Sequence, residues 1–399
     1  MYDVLIVGGG VIGLSLAWDL ARHGQSVHVI DRGLPGREAS WAGAGILPPA
    51  NRATAIHPYD QLCGLSSELH PEWAHELKSL TGIDTGYRCC GGLYLARTSG
   101  EAASLAAWAA NQAALGVAVG KLTGDELAEI EPGLVAAADR NARSEPSSQN
   151  SVLSTQYSAS GAEFAAPRRA QAGNAFLLPD EAQLRNPRHL RALLEACQVA
   201  GVNISANVAA AEVAVEGGEV HEIATSIGPL RAQRYCFTAG AWTGQLLGNL
   251  GLPIAVLPLR GQMVMFRCSR PPIRHIVNEG SRYLVPRDDG RVLAGSTEEE
   301  VGFDKRTTEG AIAELAAFAR ALVPALNDIS IEQSWAGLRP ASFDGLPYLG
   351  QLPGLANAYI AAGHFRSGLF LSPATAVVMS QLLRDEPPQI DLAPFRVGR

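Results

Sequence analysis

Residues 3–7, DVLIV, are apolar and mostly β-branched with no alternation, the pattern of a strand buried on both faces in a parallel sheet. GGGVIG follows at once, so Gly8, Gly10 and Gly13 fall at the spacing G-x-G-x-x-G. Ile12, Leu16 and Leu20 then recur at helical spacing, predicting a helix from Val11 to about His23 with Gly24 placed to end it. A second strand, SVHVID, closes on Asp31, 18 residues beyond Gly13. Each part has a physical job. Gly8 permits the tight turn, Gly10 lets backbone approach a pyrophosphate, and Gly13 lets helix and strand pack closely. The helix N-terminus offers free N–H groups and a positive dipole to phosphate. The acid reaches ribose hydroxyls. A glycine-rich turn without a ligand would explain the glycines, but not the strand, helix, second strand and acid in register. The chain therefore opens on a dinucleotide-binding unit.

Composition narrows the rest. At 399 residues the chain suits two or three domains, and 47% hydrophobic against 18% charged residues excludes disorder as its main state. The net charge of −7 argues against an electrostatic nucleic-acid binder. Six cysteines without a CxxC pair support neither a disulfide framework nor zinc, and no metal site is expected. The apolar run Val4–Trp18 is bracketed by Asp3 and Asp19, interrupted by glycines, and shorter than the ~20 residues of a membrane span. A cytoplasmic protein is the expectation.

The stretch after Asp31, RGLPGREASWAGAGILPPAN, separates two dinucleotides. A nicotinamide domain would continue its βαβ pattern. Here a glycine- and alanine-rich loop lets backbone lie against a flat cofactor, with Arg37 and Ser40 as donors to phosphate, which favours an extended FAD.

In the C-terminal half, RYLVPRDDGRVLAGST predicts a hairpin turning at Asp288-Asp289-Gly290, with Tyr283 on its first strand. SWAGLRPAS places Arg339 among apolar neighbours. Its guanidinium cannot shed its proton, so it needs an anion: a substrate carboxylate held bidentately, or an internal Asp or Glu. AYIAAGHFRSGLFLSPATAVVMSQLL reads as strand, loop and a helix from about Pro373 to Leu383. His364, in that loop, is expected to be a hydrogen-bonding strut.

Five segments, VLIVGGGVIGLSLAWDLA, REASWAGAGIL, YLVPRDDGRVLAGST, WAGLRPASFDGLPYLG and AAGHFRSGLFLSPATA, together resemble the glycine oxidase branch of the D-amino-acid oxidase family. The matches run in order from residue 2 to about 383, with a weak middle third. The resemblance implies an α/β fold in which a Rossmann-like FAD-binding domain interleaves with an antiparallel-sheet substrate domain. It implies noncovalent FAD and oxidative deamination of glycine to imine or glyoxylate, ammonia and hydrogen peroxide, by hydride transfer to the flavin. The imine would serve thiamin synthesis. The alternatives are a related oxidase or dehydrogenase for sarcosine or D-amino acids, and an FAD-binding protein without turnover.

The resemblance further assigns the substrate carboxylate to Arg339 with the Tyr283 hydroxyl as second donor, and sets Arg366 over the active site as another positive charge. FAD contacts would come from Gly8, Gly10, Val11, Ile12, Gly13, Asp31 and Arg32, and from Arg37, Ala39, Ser40, Gly45 and Ile46. Val208, Gly240, Gly337, Arg339 and Arg366 complete the cofactor set, with Ser367, Gly368, Leu369 and Phe370 facing the pyrimidine edge of the flavin. Partners would be a small amino acid and oxygen, with no nucleic acid or membrane span, and a homo-oligomer by family resemblance. No protein base is expected, because no convincing acid–base residue is visible.

Several features depart from that pattern. Asp31 stands where such proteins carry Glu. Glu298 replaces an apolar residue, and could repel the substrate carboxylate, pair with its amine, or point to solvent. Cys89 and Cys90 are expected to be buried, and no cysteine follows Cys268 to attach flavin covalently. Residues 141–173 read as a mobile insertion rich in Ser, Ala, Gln and Pro. The expected domains are 1–86, 187–254 and 335–399 for FAD, and 87–186 and 255–334 for substrate.

Overall fold

The computed structural model describes residues 1–134, 175–248, 251–252 and 254–399, so the expected insertion at 141–173 lies outside the described residues. The first strand, β1 (Tyr2–Val7), is central to a six-stranded sheet. Its order is β19 (Tyr348–Gln351), β20 (Ala358–Ala362), β13 (Ala232–Phe237), β1, β2 (Val27–Ile30) and β9 (Asn203–Ser205). All neighbours pair in parallel except the edge strand β19, which runs antiparallel to β20. The unalternating DVLIV pattern has its cause here. Val4 and Ile6 enter one apolar core while Leu5 and Val7 enter another on the opposite face.

The first core is sealed by α1 (Val11–Arg22), α3 (Pro58–Thr81), α6 (Asn186–Val199) and α9 (Gly368–Leu383). Val11 through Leu20 are all buried, as expected of a helix enclosed by sheet and helices. The other core lies under a small antiparallel sheet of β10 (Ala210–Glu216), β11 (Glu219–Thr225) and β12 (Gly228–Leu230).

An eight-stranded sheet forms the second layer system, in the order β18 (Ile331–Ser342), β14 (Val256–Arg267), β17 (Arg291–Gly295), β16 (Arg282–Pro286), β15 (Ile276–Glu279), β5 (Gly92–Leu95), β7 (Ala175–Leu178) and β6 (Gly120–Leu122). Every pair is antiparallel but β15–β5. One face packs on α8 (Glu309–Leu322), through Leu315, Phe318 and Ala319. The hairpin forms as its sequence requires, β16 pairing with β17.

Four expectations need correction. Strand β18 lies wholly in the eight-stranded sheet, so a boundary at 335 would cut through a strand. The segment after Asp31 is not all loop, because it holds a one-turn helix, α2 (Ala39–Ala42), and a short strand, β3 (Ile46–Leu47). Strand β3 exists only because it pairs with β8 (Ala182–Gln183), a partner far away in sequence. Helix α9 starts at Gly368 rather than near Pro373. Pro373 is tolerated inside it because the carbonyl that loses its amide partner, Leu369 O, accepts from Ser372 Oγ at 2.9 Å. Cys89 is exposed because its strand, β4 (Arg88–Cys89), edges a three-stranded sheet, and Cys90, just beyond that strand, is only half-buried.

Candidate active site

One cavity of about 640 Å³ runs between the two sheets. At one end the β1–α1 turn supplies its wall. Gly8 sits at φ +119°, where a side chain would be strained and would collide with Thr238. Gly8 N–H donates to Ile30 O at 2.8 Å, and Thr238 Oγ1 donates to Gly8 O at 2.7 Å, which locks the turn between β2 and β13. Among the described residues no side chain caps α1. Its positive end opens on the cavity, and of its first N–H groups Val11 N–H donates to Ser40 Oγ at 3.0 Å.

Asp31 closes β2 with both carboxylate oxygens engaged: Gly9 N–H donates to Oδ2 and Gly33 N–H to Oδ1, each at 2.8 Å. Each oxygen keeps a free lone pair for a further donor. Arg32 lies over the Trp242 ring, 3.7 Å from its centroid. Val208 also reaches the cavity, but its N–H donates to Asp31 O at 2.7 Å and is not free for a ligand.

In the middle of the cavity the wall comes from Arg37, Ala39, Ser40, Gly45 and Ile46, and from Gly240 beyond β13. Two residues unremarked in the sequence hold this segment. Asn186 Nδ2 donates to Ser40 O at 2.7 Å. Arg287, buried in the hairpin turn, donates to Ala44 O at 2.7 Å, Leu184 O at 2.9 Å and Gln183 Oε1 at 2.6 Å. Thus the hairpin turn pins a cavity-lining loop from outside its own sheet.

At the far end stands Arg339, on β18 beside Gly337. Its Nη1 donates to Thr297 O at 3.0 Å and its Nη2 to Ser296 Oγ at 2.5 Å. Among the described residues no carboxylate lies within ion-pair distance. Burial lowers its pKa, and the nearby Arg366 charge acts in the same sense. The guanidinium lies across Gly261 of the neighbouring strand β14, where any Cβ would overlap it. Tyr283 faces the same cavity, its hydroxyl 3.3 Å from Met263 Sδ, and both fold over Gly295, another strand residue with no room for a Cβ. A glycine inside a strand run marks such close approach, and Gly261 and Gly295 were the available signal.

The loop after β20 completes the cavity. His364 is buried and hydrogen-bonds Thr375 Oγ1 through Nε2 at 3.1 Å, and burial pulls its pKa down to about 3, so it stays a neutral strut. Gly368, Leu369 and Phe370 form the uncapped first turn of α9, with Phe370 O accepting from the buried His70 at 2.8 Å. Ser367 N–H is already spent on His364 O at 2.9 Å. Two helix N-termini therefore meet at one cavity, and their residues fit a cofactor carrying phosphates at one end and an electron-accepting ring at the other.

The structure thus brings together every predicted site residue but one. Gly13 does not line the cavity, because a Cβ there would strike Gly8 O and Thr238 Oγ1, which makes it a packing glycine. Arg366 does line it, but not as a free charge, because it is ion-paired with Glu298, a partnership none of the expectations for Glu298 included.

Parallel sheet, glycine-rich turn at the cavity, second helix N-terminus and buried arginine define a dinucleotide-dependent oxidoreductase. The chain belongs to the FAD dependent oxidoreductase family, which it matches over residues 3–382, and FAD is its cofactor. It is 35% identical to the glycine oxidase of Pseudomonas putida, over 98% of this chain and 97% of that one. It is 30% identical to the bifunctional protein ThiO/ThiG of Trichormus variabilis, over all of this chain and 55% of that one. The crystal structure of glycine oxidase from Geobacillus kaustophilus superposes with a TM-score of 0.87 at 32% identity, covering 100% of this chain and 98% of that one. Among the described residues no helix is long and apolar enough to cross a membrane, and no cluster of metal-ligating side chains occurs.

Proposed function

We propose that this chain oxidises the amine of glycine, with FAD as electron acceptor and oxygen as final oxidant, giving the imine and, after hydrolysis, glyoxylate and ammonia. The observation that carries this reading is the buried guanidinium of Arg339, which faces the cavity with no carboxylate partner among the described residues. Bound FAD supplies the two-electron acceptor for a hydride leaving the α-carbon, and oxygen restores it with release of hydrogen peroxide.

The chain's own residues position and exclude. Arg339 takes the substrate carboxylate as a fork, and the Tyr283 hydroxyl can leave Met263 to donate beside it. With the carboxylate fixed, the α-carbon has one orientation toward the ring, which turns a collision into a positioned approach. With FAD bound, the free N–H groups of Gly368, Leu369 and Phe370 would stabilise negative charge on its ring. At the other end the α1 N-terminus would hold the pyrophosphate of bound FAD, Asp31 would accept from ribose, and Arg37 and Ser40 would donate to phosphate.

The same reading sets the FAD-binding domain as three stretches and the substrate domain as two, with the last boundary after β18. Location in the cytoplasm is an expectation from composition, whereas a homo-oligomeric assembly and service to thiamin synthesis rest on the motif resemblance. The test is anaerobic bleaching of the yellow holoenzyme by glycine, sarcosine, D-alanine and D-proline in turn. Bleaching by glycine supports the proposal. Bleaching only by a bulkier amine replaces the substrate, and bleaching by none refutes an oxidase. Peroxide formation in air separates oxidase from dehydrogenase.

A further inference from the structure

Glu181 precedes β8 and is fully buried, yet among the described residues no basic side chain partners its carboxyl. Two neutral donors serve it. Tyr94 Oη donates to Oε2 at 2.6 Å, and Asn278 Nδ2 to Oε1 at 3.3 Å. The strand beside it leaves a slot, because a Cβ on Gly92 would overlap the carboxyl oxygens. A carboxyl buried without a cation is costly, and a fold that needed only a strut at this place would be better served by an amide.

Both donors line the active-site cavity. Tyr94 pairs with Asn278 across β5 and β15, and Asn278 pairs with Tyr283 across β15 and β16. Paired residues share a face of the sheet, so the three stand in one row, with Tyr94 two strand spacings or roughly 10 Å from Tyr283. Among the described residues the other carboxylates near the cavity are engaged elsewhere: Asp31 and Glu38 at the nucleotide end, Glu298 on Arg366.

If the site oxidises an amino acid, as proposed above, one proton needs an acceptor. The substrate arrives as an ammonium and must become an amine before its lone pair can help expel hydride. We infer that Glu181, acting through the Tyr94 hydroxyl, accepts that ammonium proton and so positions the charge state of the substrate. The N–H bond of the ammonium breaks and its proton passes to Tyr94 Oη, directly or through one water. The Tyr94 O–H proton passes to Glu181 Oε2. No electrons are exchanged: a cation and an anion become a neutral amine and a neutral carboxyl inside a buried wall. After product leaves, the proton returns to solvent along the same route.

The charged neighbours do not set this equilibrium. On β15, Glu279 pairs with Arg97, and His275, just before that strand, pairs with Glu131 at 2.8 Å. On the β4 side Arg88 pairs with Asp288, and Cys90 Sγ accepts from Gln183 Nε2. Arg287, from the hairpin, is spent on Gln183 and two carbonyls, and Asp180 is exposed. Burial therefore dominates, pushing Glu181 up to about 7 and Tyr94 well above its ordinary value. Tyr94 stays protonated as a conduit, while Glu181 can exchange a proton near neutrality.

The test is anaerobic stopped-flow reduction of holoenzyme by glycine across pH, for wild type, Glu181→Gln and Tyr94→Phe, after matching FAD content and far-UV circular dichroism. The wild type should show a rising limb near neutrality. In Glu181→Gln that limb should move to the alkaline ionisation of the free amine, with reduction at least ~10-fold slower near neutrality and within about twofold in alkali. A rate lowered by the same factor at every pH would mean a structural role and overturn the inference, as would a profile overlying wild type. Should Glu181→Gln fail to fold, Tyr94→Phe keeps the carboxyl and breaks the conduit, and it must give the same displacement or the inference fails. If another amine of the panel reduces the wild type where glycine does not, the profiles are taken with that amine. Reduction by no amine fails the oxidase reading itself, and this inference with it.

Discussion

Gly261 offers a clean perturbation of the proposed carboxylate site. The Arg339 guanidinium lies flat across this glycine on the neighbouring strand, and a Cβ at 261 would overlap Cζ and both terminal nitrogens. Ordinary contact begins at 3.4 Å, and the atoms in the way are the far end of a flexible side chain rather than backbone. Gly261→Ala should therefore fold, with Arg339 displaced by about 1 Å, a misplacement that can cost ~10²-fold in a positioned reaction. Gly261 lies in the middle of β14 with no left-handed backbone requirement, so stability should change by less than ~1 kcal/mol. The assay pairs steady-state kcat/KM for glycine with titration of acetate, a carboxylate that cannot be oxidised. The expected result is a loss of ~100-fold in kcat/KM, equal to about 2.7 kcal/mol, with acetate binding weakened alongside it and FAD retained. Unchanged acetate affinity and kcat/KM within twofold of wild type would refute the assignment of the carboxylate to Arg339.

Arg287→Leu strips three acceptors at once and should destabilise the fold by about 3 kcal/mol while loosening FAD through the freed Ala44 loop, read as Tm and bound-flavin content. His70, His189 and His364 are buried, and burial pulls them from 6.5 to about 4, about 3 and about 3. An unfolded chain protonates them below about 6.5 where the folded one does not, so stability should be full above that pH and fall as it drops, with a slope approaching ~4 kcal/mol per pH unit. Equal denaturant midpoints at about pH 7 and pH 5 would contradict this sign, which follows from neutral buried imidazoles. Glu298→Gln breaks a half-exposed ion pair and should cost under ~1 kcal/mol, but it frees the Arg366 charge at the cavity. Binding of dicarboxylates such as iminodiacetate should tighten more than that of acetate, as measured by flavin absorbance titration.

The parts of this protein legible in sequence are those whose cause is local. A strand, three spaced glycines, a helix and a terminal acid made the dinucleotide unit readable because their period and spacing follow from backbone geometry. Arg339 was readable because a charge among Leu338, Pro340 and other small or apolar residues raises the question of its counterion. What depends on distant pairing was not readable. Strand β3 is two residues long and owes its existence to β8, and the Glu298–Arg366 pair joins residues 68 apart. Glu181 escaped because its meaning lies in the slot at Gly92 and in Tyr94 and Asn278, which only the register of β5 and β15 brings together. Pro373 reads as a helix start, whereas α9 begins at Gly368 and accommodates the proline because Ser372 Oγ satisfies the freed carbonyl. Strand glycines were the overlooked local signal. Gly92, Gly261 and Gly295 each make room for a side chain at the cavity or in its wall.

The central claim is that Arg339 selects a carboxylate-bearing amine for oxidation, and glycine against methylamine tests it most directly. Methylamine is the same amine without the carboxylate. In anaerobic reduction of the holoenzyme, glycine should exceed methylamine by ~10³-fold or more in second-order rate, and Arg339→Leu should erase most of that preference. Equal reduction by the two amines in wild type, or an undiminished preference for glycine in Arg339→Leu, would contradict the account.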